Sequence, residues 1–482
     1  MCKYLYGAAV QGIQKYIFQT NKLKDIIGAS ELVKFICDEV FCKEFAGSGE
    51  VIVHAAGNVK CVYSSKEECE NAVMYFPKRV MEKAPGITVS QAVVKYDDST
   101  SFKNINNELE KRLHAQRNRP CKSITTGYLA TERSRTTGLP AVDIVRGEYI
   151  DEGTRAKREI LEVNNVSKTL CSLLVDRNIG YDEIGWDTKD ITDQNDWIAI
   201  IHADGNALGE VVEKVGSDSR KLSSFSQLLD EATKCAAQRA YRNIECKDLS
   251  EKNVLPIRPI VIGGDDLTVI CRASLAVEFV KNYMRFFEEE CYTKIKQRLT
   301  ACAGIAFTKS SYPFYFGYEL AETLCGIAKK DAKSDKMKDA NNVKIPACLM
   351  FHKVQSSFVE DYETIKRKEL TPVDGHSFCF GPYYLDEQKD RWTVENLQET
   401  VEELAKDVNN PIKTSVRQWL TLMHDDINAA KQKQERVCSI VETCTQKGIF
   451  SKLTEGYVRN DEACYPAYDV LSLLTIQNQI TK

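Results

Sequence analysis

Val261-Ile262-Gly263-Gly264-Asp265-Asp266-Leu267-Thr268-Val269-Ile270 places two glycines and two adjacent aspartates inside an apolar, β-branched run. The flanks read as two short strands and the centre as a tight hairpin. Glycine reaches the positive φ such a turn needs, and it lets another backbone or a phosphate come close. Two carboxylates at one hairpin tip repel each other, and a divalent cation is the simplest counter-charge. Without a cation the same residues are an acidic turn and nothing more. What accompanies them in the sequence separates the two readings.

Upstream, Trp197-Ile198-Ala199-Ile200-Ile201 reads as a buried strand running into His202-Ala203-Asp204-Gly205-Asn206-Ala207-Leu208-Gly209. A carboxylate at a strand end before a turn and a helix start is placed to ligate a metal. The freed amides of residues 205–209 then face a phosphate. Asp204 also fits the commoner role of a helix N-cap. Downstream, residues 321–331 (AETLCGIAKKD) predict a helix with Ala321, Leu324 and Ala328 on one face. Lys329, Lys330 and Lys333 gather at its C-terminal end, where they either complement the helix dipole or bind a triphosphate. His202 reads as a strand-end histidine packed near the site rather than as a base.

The chain contains itself twice. VIVHAAGNVKCV, beginning at Val51, repeats the pattern of the acidic hairpin. Each hairpin is followed by a helix and then a strand, ITVSQAVVKY in the first copy and LTACAGIAFTK in the second. Each copy opens on a strand and a glycine-containing turn. Two copies about two hundred residues apart predict two similar α/β domains rather than a solenoid. Gly57 and Asn58 stand where the second copy has Asp265 and Asp266, and Val10 or Gln11 is expected at the place of Asp204. The first copy therefore lacks the acids and reads as a structural or regulatory partner.

Composition sets the bounds. The 482 residues suffice for two to four domains. A net charge of -4 argues against a protein that coats nucleic acid, though a local basic groove stays open. No run is long and apolar enough to suggest a signal peptide or a membrane span. The 18 cysteines are scattered, with no Cys-x-x-Cys pair or zinc spacing, so reduced buried thiols in a cytoplasmic protein are expected.

IIHADGNALG, IGGDDLTVI, the GIAF strand and AETLCGIAKK together resemble the palm domains of the large subunit of type III CRISPR effector complexes. GIQKYIFQTNKLKDIIGASELV and TTGLPAV resemble the same family, and the likeness covers about residues 1–350. A more distant likeness is to the GGDEF diguanylate cyclases, whose helix closes on a lysine at the place of Lys329. Leu267-Thr268 replaces their Glu-Phe, so guanine selectivity does not carry over. The resemblance implies an α+β fold of two tandem ferredoxin-like palm domains, each an antiparallel sheet with helices on one face. It implies a nucleotidyltransferase that makes cyclic di- or oligonucleotide second messengers from ATP in antiviral defence. On this view Asp204, Asp265 and Asp266 are the catalytic residues and hold two Mg²⁺ or Mn²⁺ ions. Gly205, Asn206, Ala207, Gly209, Gly263, Gly264, Lys329, Lys330 and Lys333 bind nucleotide. Guide or target RNA and further CRISPR subunits are implied partners, and a homo-oligomer is open. The family often carries an N-terminal HD nuclease; with the first palm expected to begin at about residue 3, none is expected here, and the His424-Asp425 pair in a helical stretch reads as incidental.

The expected domains are a degenerate first palm over 1–139, a connecting helical segment over 140–195, a catalytic second palm over 196–349, and a C-terminal helical domain over 350–482. In the last, Val394, Leu397, Val401, Leu404 and Val408 share one helical face, as do Ile412, Val416, Trp419, Met423 and Ile427. Lys431, Lys433 and Arg436 read as a solvated face. Two other functions fit the same residues. One is a scaffold subunit of a ribonucleoprotein whose partners gate any cyclase activity, and the other is an ATP sensor without turnover.

Overall fold

The computed structural model describes residues 2–55, 57–97, 99–119, 130–163, 170–192, 195–215, 218–245, 254–334, 345–356, 359–373, 375–441, 444–459 and 461–477. The first unit begins with β1 (Lys3–Gln11), α1 (Ile13–Ile17) and α2 (Leu23–Phe35), which continues as a π-helical stretch over Ile36–Phe45. β2 (Glu50–Ala55), β3 (Asn58–Tyr63), α3 (Lys66–Lys83), β4 (Thr88–Tyr96) and α4 (Phe102–Arg117) complete it. The connecting segment holds the hairpin β5 (Asp143–Val145) and β6 (Glu148–Ile150) and the helices α5 (Glu152–Val163), α6 (Leu170–Val175) and α7 (Thr188–Ile191). The second unit then repeats the first with β7 (Trp197–Gly205), α8 (Leu208–Val215), α9 (Ser219–Glu245), β8 (Ile257–Gly263), β9 (Asp266–Arg272), α10 (Ala276–Ile295), β10 (Ala301–Lys309) and α11 (Phe314–Ala332).

The repeat is exact in topology. The first sheet runs β2-β3-β1-β4, and the second contains β8-β9-β7-β10 in the same order. Both carry a bulge in the first hairpin strand, between Val51 and Val53 and between Pro259 and Val261. Strand pairing also fixes the equivalences. Ala8 faces Val59 and Ala9 faces Asn58, whereas Ala203 faces Leu267. Asp204 therefore occupies the place of Ala9, not of Val10 or Gln11 as the sequence suggested. Gly12 and Ala207, three residues further on in each copy, share the left-handed conformation with φ of 60° and 58°.

Side chains of β1 alternate between the two faces of the sheet, and both faces are covered, so Leu5 to Ala9 are buried without a break. Tyr6 and Ala8 pack with Phe41, Phe45, Ala72, Phe76 and Val80 on the side of α3. Leu5, on the opposite face, packs with Ile52, Val94, Ile105, Leu109 and Leu113. The expected one-sided helical cover thus holds for the crossover side, and α4 adds cover on the other. Leu222 of α9 joins this α4 cluster, so the long helix of the second unit is anchored in the first.

The second sheet is wider than the first. β11 (Cys348–Lys353) lies parallel to β10, and β13 (Tyr383–Tyr384) pairs with β11. β11 runs through position 350, so the second sheet continues into the C-terminal region. That region contains α12 (Tyr362–Ile365), β12 (His376–Ser377), α13 (Val394–Ala405), α14 (Asn410–Asp425), α15 (Ile427–Ile440), α16 (Cys444–Thr454), the hairpin β14 (Tyr457–Arg459) and β15 (Glu462–Cys464), and α17 (Ala467–Gln477). Val394, Leu397, Val401 and Leu404 are buried along α13, and Ile412, Val416, Trp419 and Met423 along α14. Val408 departs from the pattern. It lies in the link between the two helices and is 65% exposed, because the helical period stops at Ala405. The cysteines described are free thiols, most of them buried. Among the described residues no helix is long and apolar enough to cross a membrane.

Candidate active site at the end of the second sheet

β7 and β9 are neighbours, which brings Asp204 at the end of one strand beside Asp266 at the start of the other. Alternation puts His202 on the same face as Asp204. Ligand atoms of His202, Asp204 and Asp266 lie within 4.8 Å of one another, the arrangement a metal ion requires. Asp265 sits on the turn, close enough to Asp204 to share a hydrogen bond. The sequence placed both hairpin acids in the metal set. In the structure Asp266 belongs to the cluster of three, and Asp265 abuts it through Asp204.

The hairpin is held from outside. Gly264 has φ of 61°, which only glycine adopts at no cost. Its N–H donates to Asp230 Oδ1 at 3.1 Å, and its carbonyl accepts from Thr233 Oγ1 at 2.6 Å, both from α9. Gly205 serves close approach, since a Cβ there would lie 2.4 Å from Leu208 Cδ1 and 3.2 Å from Asp265 Cβ. Gly209, at the start of α8, borders open space, whereas a Cβ on Gly263 would lie 3.5 Å from Asp230 Oδ1. Asn206 turns inward. Its N–H donates to Thr300 O at 2.7 Å, and its side-chain amide donates to Thr300 Oγ1 at 3.0 Å and Cys302 Sγ at 3.2 Å. It pins the turn from below, which leaves the first-turn amides of α8, beyond Ala207, as the donors that face outward.

Charge in the site is unbalanced. Burial, then the Asp266 charge, then the bond to Asp204 hold the Asp265 carboxyl well above the usual range. Asp266 is pushed up to about 6 by burial and by Asp204, against the pull of Lys329. His202 is buried, hydrogen-bonded to Thr268 Oγ1 at 3.1 Å and packed edge-on against Tyr318, and burial lowers its pKa. Carboxylates crowded to this degree fit a divalent cation, whose charge favours their ionised form. Lys329 supplies the cation present. Its ammonium pairs with Asp204 Oδ2 and donates to Gly205 O at 2.9 Å. Lys330 and Lys333 are exposed on the last turn and at the cap of α11, and among the described residues only Lys329 of the three bonds the carboxylates.

The first unit closes the site from the other side. Gln14 of α1 donates to Tyr318 OH at 3.0 Å and to Glu322 Oε1 at 2.9 Å, both on α11. Between the two sheets lies a cavity of about 640 Å³. His202, Asp266 and Thr268 border it from the second unit, and Gln14, Lys34, Asp38 and His54 from the first. Its volume is that of a small-molecule site, for which about 300–1,000 Å³ is usual. His54 bonds Asp38 at 3.1 Å, which raises the pKa of its imidazole. Sequence reasoning assigned no role to Gln14, Glu322, Asp230 or Thr233, whose partners lie far away in the chain. For His202 the signal was present, because it stands two residues from Asp204 on the same strand.

Residues 197–341 match the family model of the Cas10/Cmr2 second palm domain. No curated protein sequence matches the chain. Among solved structures, a Csm1–Csm4 cassette in complex with cA4 aligns with 98% of this chain and 69% of that chain, at a TM-score of 0.60 and 13% identity. A Csm1–Csm4 cassette in complex with one ATP covers 99% and 70%, at a TM-score of 0.59 and 13% identity. Csm1 of T.onnurineus covers 99% and 69%, at a TM-score of 0.57 and 13% identity. The second unit is thus a palm domain of the Cas10/Cmr2 second-palm family, and the whole chain shares the fold of Csm1. The expected likeness to the large subunit of type III CRISPR complexes is borne out at that level.

Proposed function

We propose that this Cas10-like palm pair is a metal-dependent nucleotidyl cyclase that joins ATP units into a cyclic di- or oligonucleotide, in antiviral defence, with release of pyrophosphate. One observation carries the reading. Asp204, Asp265 and Asp266 converge beside an inter-palm cavity that Asp266 lines, and burial together with the neighbouring carboxylates holds Asp265 and Asp266 above the ordinary carboxylate range. The solved cassettes of the same fold include complexes with ATP, pppApA, cA3 and cA4, which supports adenine nucleotides as the substrate class.

Asp204, Asp265 and Asp266 would hold the divalent cations, with His202 the nearest further donor. Two bound Mg²⁺ or Mn²⁺ ions would supply activation of a 3′-hydroxyl and neutralisation of charge on the α-phosphate and the leaving pyrophosphate. The protein's own contribution is placement and charge. Lys329 can exchange Asp204 for a triphosphate oxygen, with Lys330 and Lys333 close by on the same helix. The first-turn amides of α8 receive phosphate at a helix N-terminus. The inter-palm cavity seats the second nucleotide against both units, which gives a first palm without the hairpin acids a role. Asp230 and Thr233 keep the hairpin rigid.

The test is incubation of the purified chain with ATP and with each other nucleoside triphosphate, in Mg²⁺ and in Mn²⁺, with products read by mass spectrometry. A cyclic product absent from the Asp265→Ala and Asp266→Ala variants supports the reading. Tight ATP binding without pyrophosphate release would instead assign the sensor role.

A second reading has its own support. Met74 at 66%, Tyr75 at 49% and Met81 at 63% exposure leave an uncovered apolar face on α3, and the similar Csm1 structures include Csm1–Csm4 cassettes. A subunit of a ribonucleoprotein whose partners and RNA gate the cyclase fits that face. Co-purification of RNA and smaller subunits with the chain tests it.

A further inference from the structure

The helix that carries Lys329 is held at its far end by the C-terminal region. Asp331, two residues beyond Lys329, accepts from Arg391 twice, from Nη2 to Oδ1 at 2.8 Å and from Nε to Oδ2 at 3.3 Å. Tyr384 OH donates to the same Asp331 Oδ2 at 2.5 Å. Such a two-pronged guanidinium–carboxylate contact fixes direction as well as distance. It is also shielded, because the Arg391 side chain is only 10% and that of Asp331 21% exposed. Cys348 of β11 adds a fourth tie by donating to Ala328 O at 3.3 Å.

The clamp itself stands on rigid backbone. Tyr384 pairs with Cys348 at the edge of the catalytic sheet, and its N–H donates to Trp392 O at 3.0 Å. Arg391 closes the short hairpin that begins at Gln388 and adjoins Trp392. A helix end bound at Ala328 and Asp331 leaves the intervening Lys329 little choice of direction. Its ammonium reaches Asp204 and Gly205 O. The chain of contacts runs from the C-terminal region to the carboxylates without a gap.

From this geometry we infer that Arg391 and Tyr384 are positioning residues for Lys329, acting through Asp331, so that the C-terminal region forms part of the triphosphate-binding apparatus rather than a separate cap. The kinetic part of the inference rests on the cyclase reading above. The positional part does not, since the Lys329–Asp204 pair exists in the structure itself.

The test compares the full-length wild-type chain with Arg391→Met, Arg391→Lys and Tyr384→Phe. The first readout is lysine labelling by an amine-acylating reagent, followed by peptide mass spectrometry. Arg391→Met is expected to raise labelling of Lys329 several-fold while Lys330 and Lys333, already exposed, stay as they are. Tyr384→Phe, which loses one hydroxyl and keeps the fold, gives a smaller rise, and Arg391→Lys lies between wild type and Arg391→Met. The second readout is turnover. A misdirected Lys329 raises KM for ATP by about tenfold, within the cost of small misplacements at a reacting centre, and changes kcat less. Lys329 labelling that is unchanged in both Arg391→Met and Tyr384→Phe overturns the inference. A wild-type chain that makes no nucleotide product overturns the cyclase reading instead and leaves the labelling result to decide this one.

Discussion

Lys329 and Asp204 are partners in charge across the second palm, one at the end of α11 and the other at the end of β7. The pair spans 125 residues of sequence and neutralises one of three clustered carboxylates. A lysine there has two uses that pull in opposite directions. On the proposed function it competes with a metal for Asp204 when nucleotide is absent and meets the triphosphate when nucleotide is bound. Lys329→Met should therefore tighten Mn²⁺ binding in the absence of nucleotide while weakening ATP by about tenfold, roughly 1.4 kcal/mol. Titration calorimetry with Mn²⁺ alone and with ATP separates the two effects. If both affinities fall together, Lys329 supports the fold of the site rather than occupying the place of a ligand.

Asp266 gives a signed pH dependence. Its folded-state pKa is about 6, above that of an unfolded aspartate. The folded state thus holds the proton more tightly. The stability this contributes is complete below the unfolded value, near pH 4, and is lost as pH rises through about 6. Asp266→Asn removes the titration, so the variant should be more stable than wild type by about 1–3 kcal/mol at pH 8 and no more stable at pH 4. Mg²⁺ at pH 8 should stabilise wild type through binding to the folded state alone, and should do little for the variant. Denaturant midpoints at both pH values, with and without Mg²⁺, check both statements. A variant less stable than wild type at pH 8 would show that the site is not charge-frustrated.

The elements that sequence revealed are those written locally. Gly263-Gly264 between β-branched runs announces a hairpin, Asp204 closes an apolar strand, and Lys329 closes an amphipathic helix. The internal repeat was legible because both copies keep the same punctuation, and the shared sheet order bears it out. Register was not legible to the residue. The equivalence of Asp204 with Ala9 rests on cross-strand pairing, and a shift of one position leaves the hydrophobic pattern of a strand covered on both faces almost unchanged. Contacts distant in sequence were invisible for the same reason. Gln14 meets Glu322 across 308 residues, and Arg391 meets Asp331 across 60. No local periodicity encodes either.

Restoring acids to the hairpin of the first palm meets a steric barrier at Gly57. Gly57 has φ of 76°, and a Cβ there would lie 2.5 Å from Ile13 Cδ1 and 3.2 Å from Val10 Cβ. In the second hairpin Asp265 stands at the place of Gly57 and is not left-handed, so it sits on ordinary backbone. The backbone at this one position thus differs between the two hairpins, and an aspartate fits it without strain only in the second. Gly57→Asp should cost about 2–4 kcal/mol from backbone strain and overpacking. The Ala9→Asp/Gly57→Asp/Asn58→Asp variant should bind no additional Mn²⁺ per chain. Urea denaturation and Mn²⁺ stoichiometry are the measurements. A triple variant of wild-type stability with a second Mn²⁺ site would mean that loss of the acids, and not the shape of the turn, silenced the first palm.

Asp469 tests the electrostatics of the C-terminal region independently of the active site. It lies on α17, buried, and accepts from Tyr383 OH at 2.7 Å. Burial pushes its pKa up to about 7, against the lowering effects of the Tyr383 hydrogen bond, the Gly381 amide, the Arg459 charge and the Phe380 amide. The folded state again binds the proton more tightly than the unfolded chain. Its contribution is full below about pH 4 and is lost at about 1.4 kcal/mol per pH unit as pH rises through about 7. Asp469→Asn should flatten that part of the stability profile. Tyr383→Phe should extend it to higher pH, because it removes a hydrogen bond that favours the charged carboxylate. Denaturant midpoints at four pH values between 5 and 8 distinguish the three chains. Parallel profiles for wild type and Asp469→Asn would show that Asp469 keeps its charge across this range, with Tyr383, Arg459 and the two amides outweighing the cost of burial.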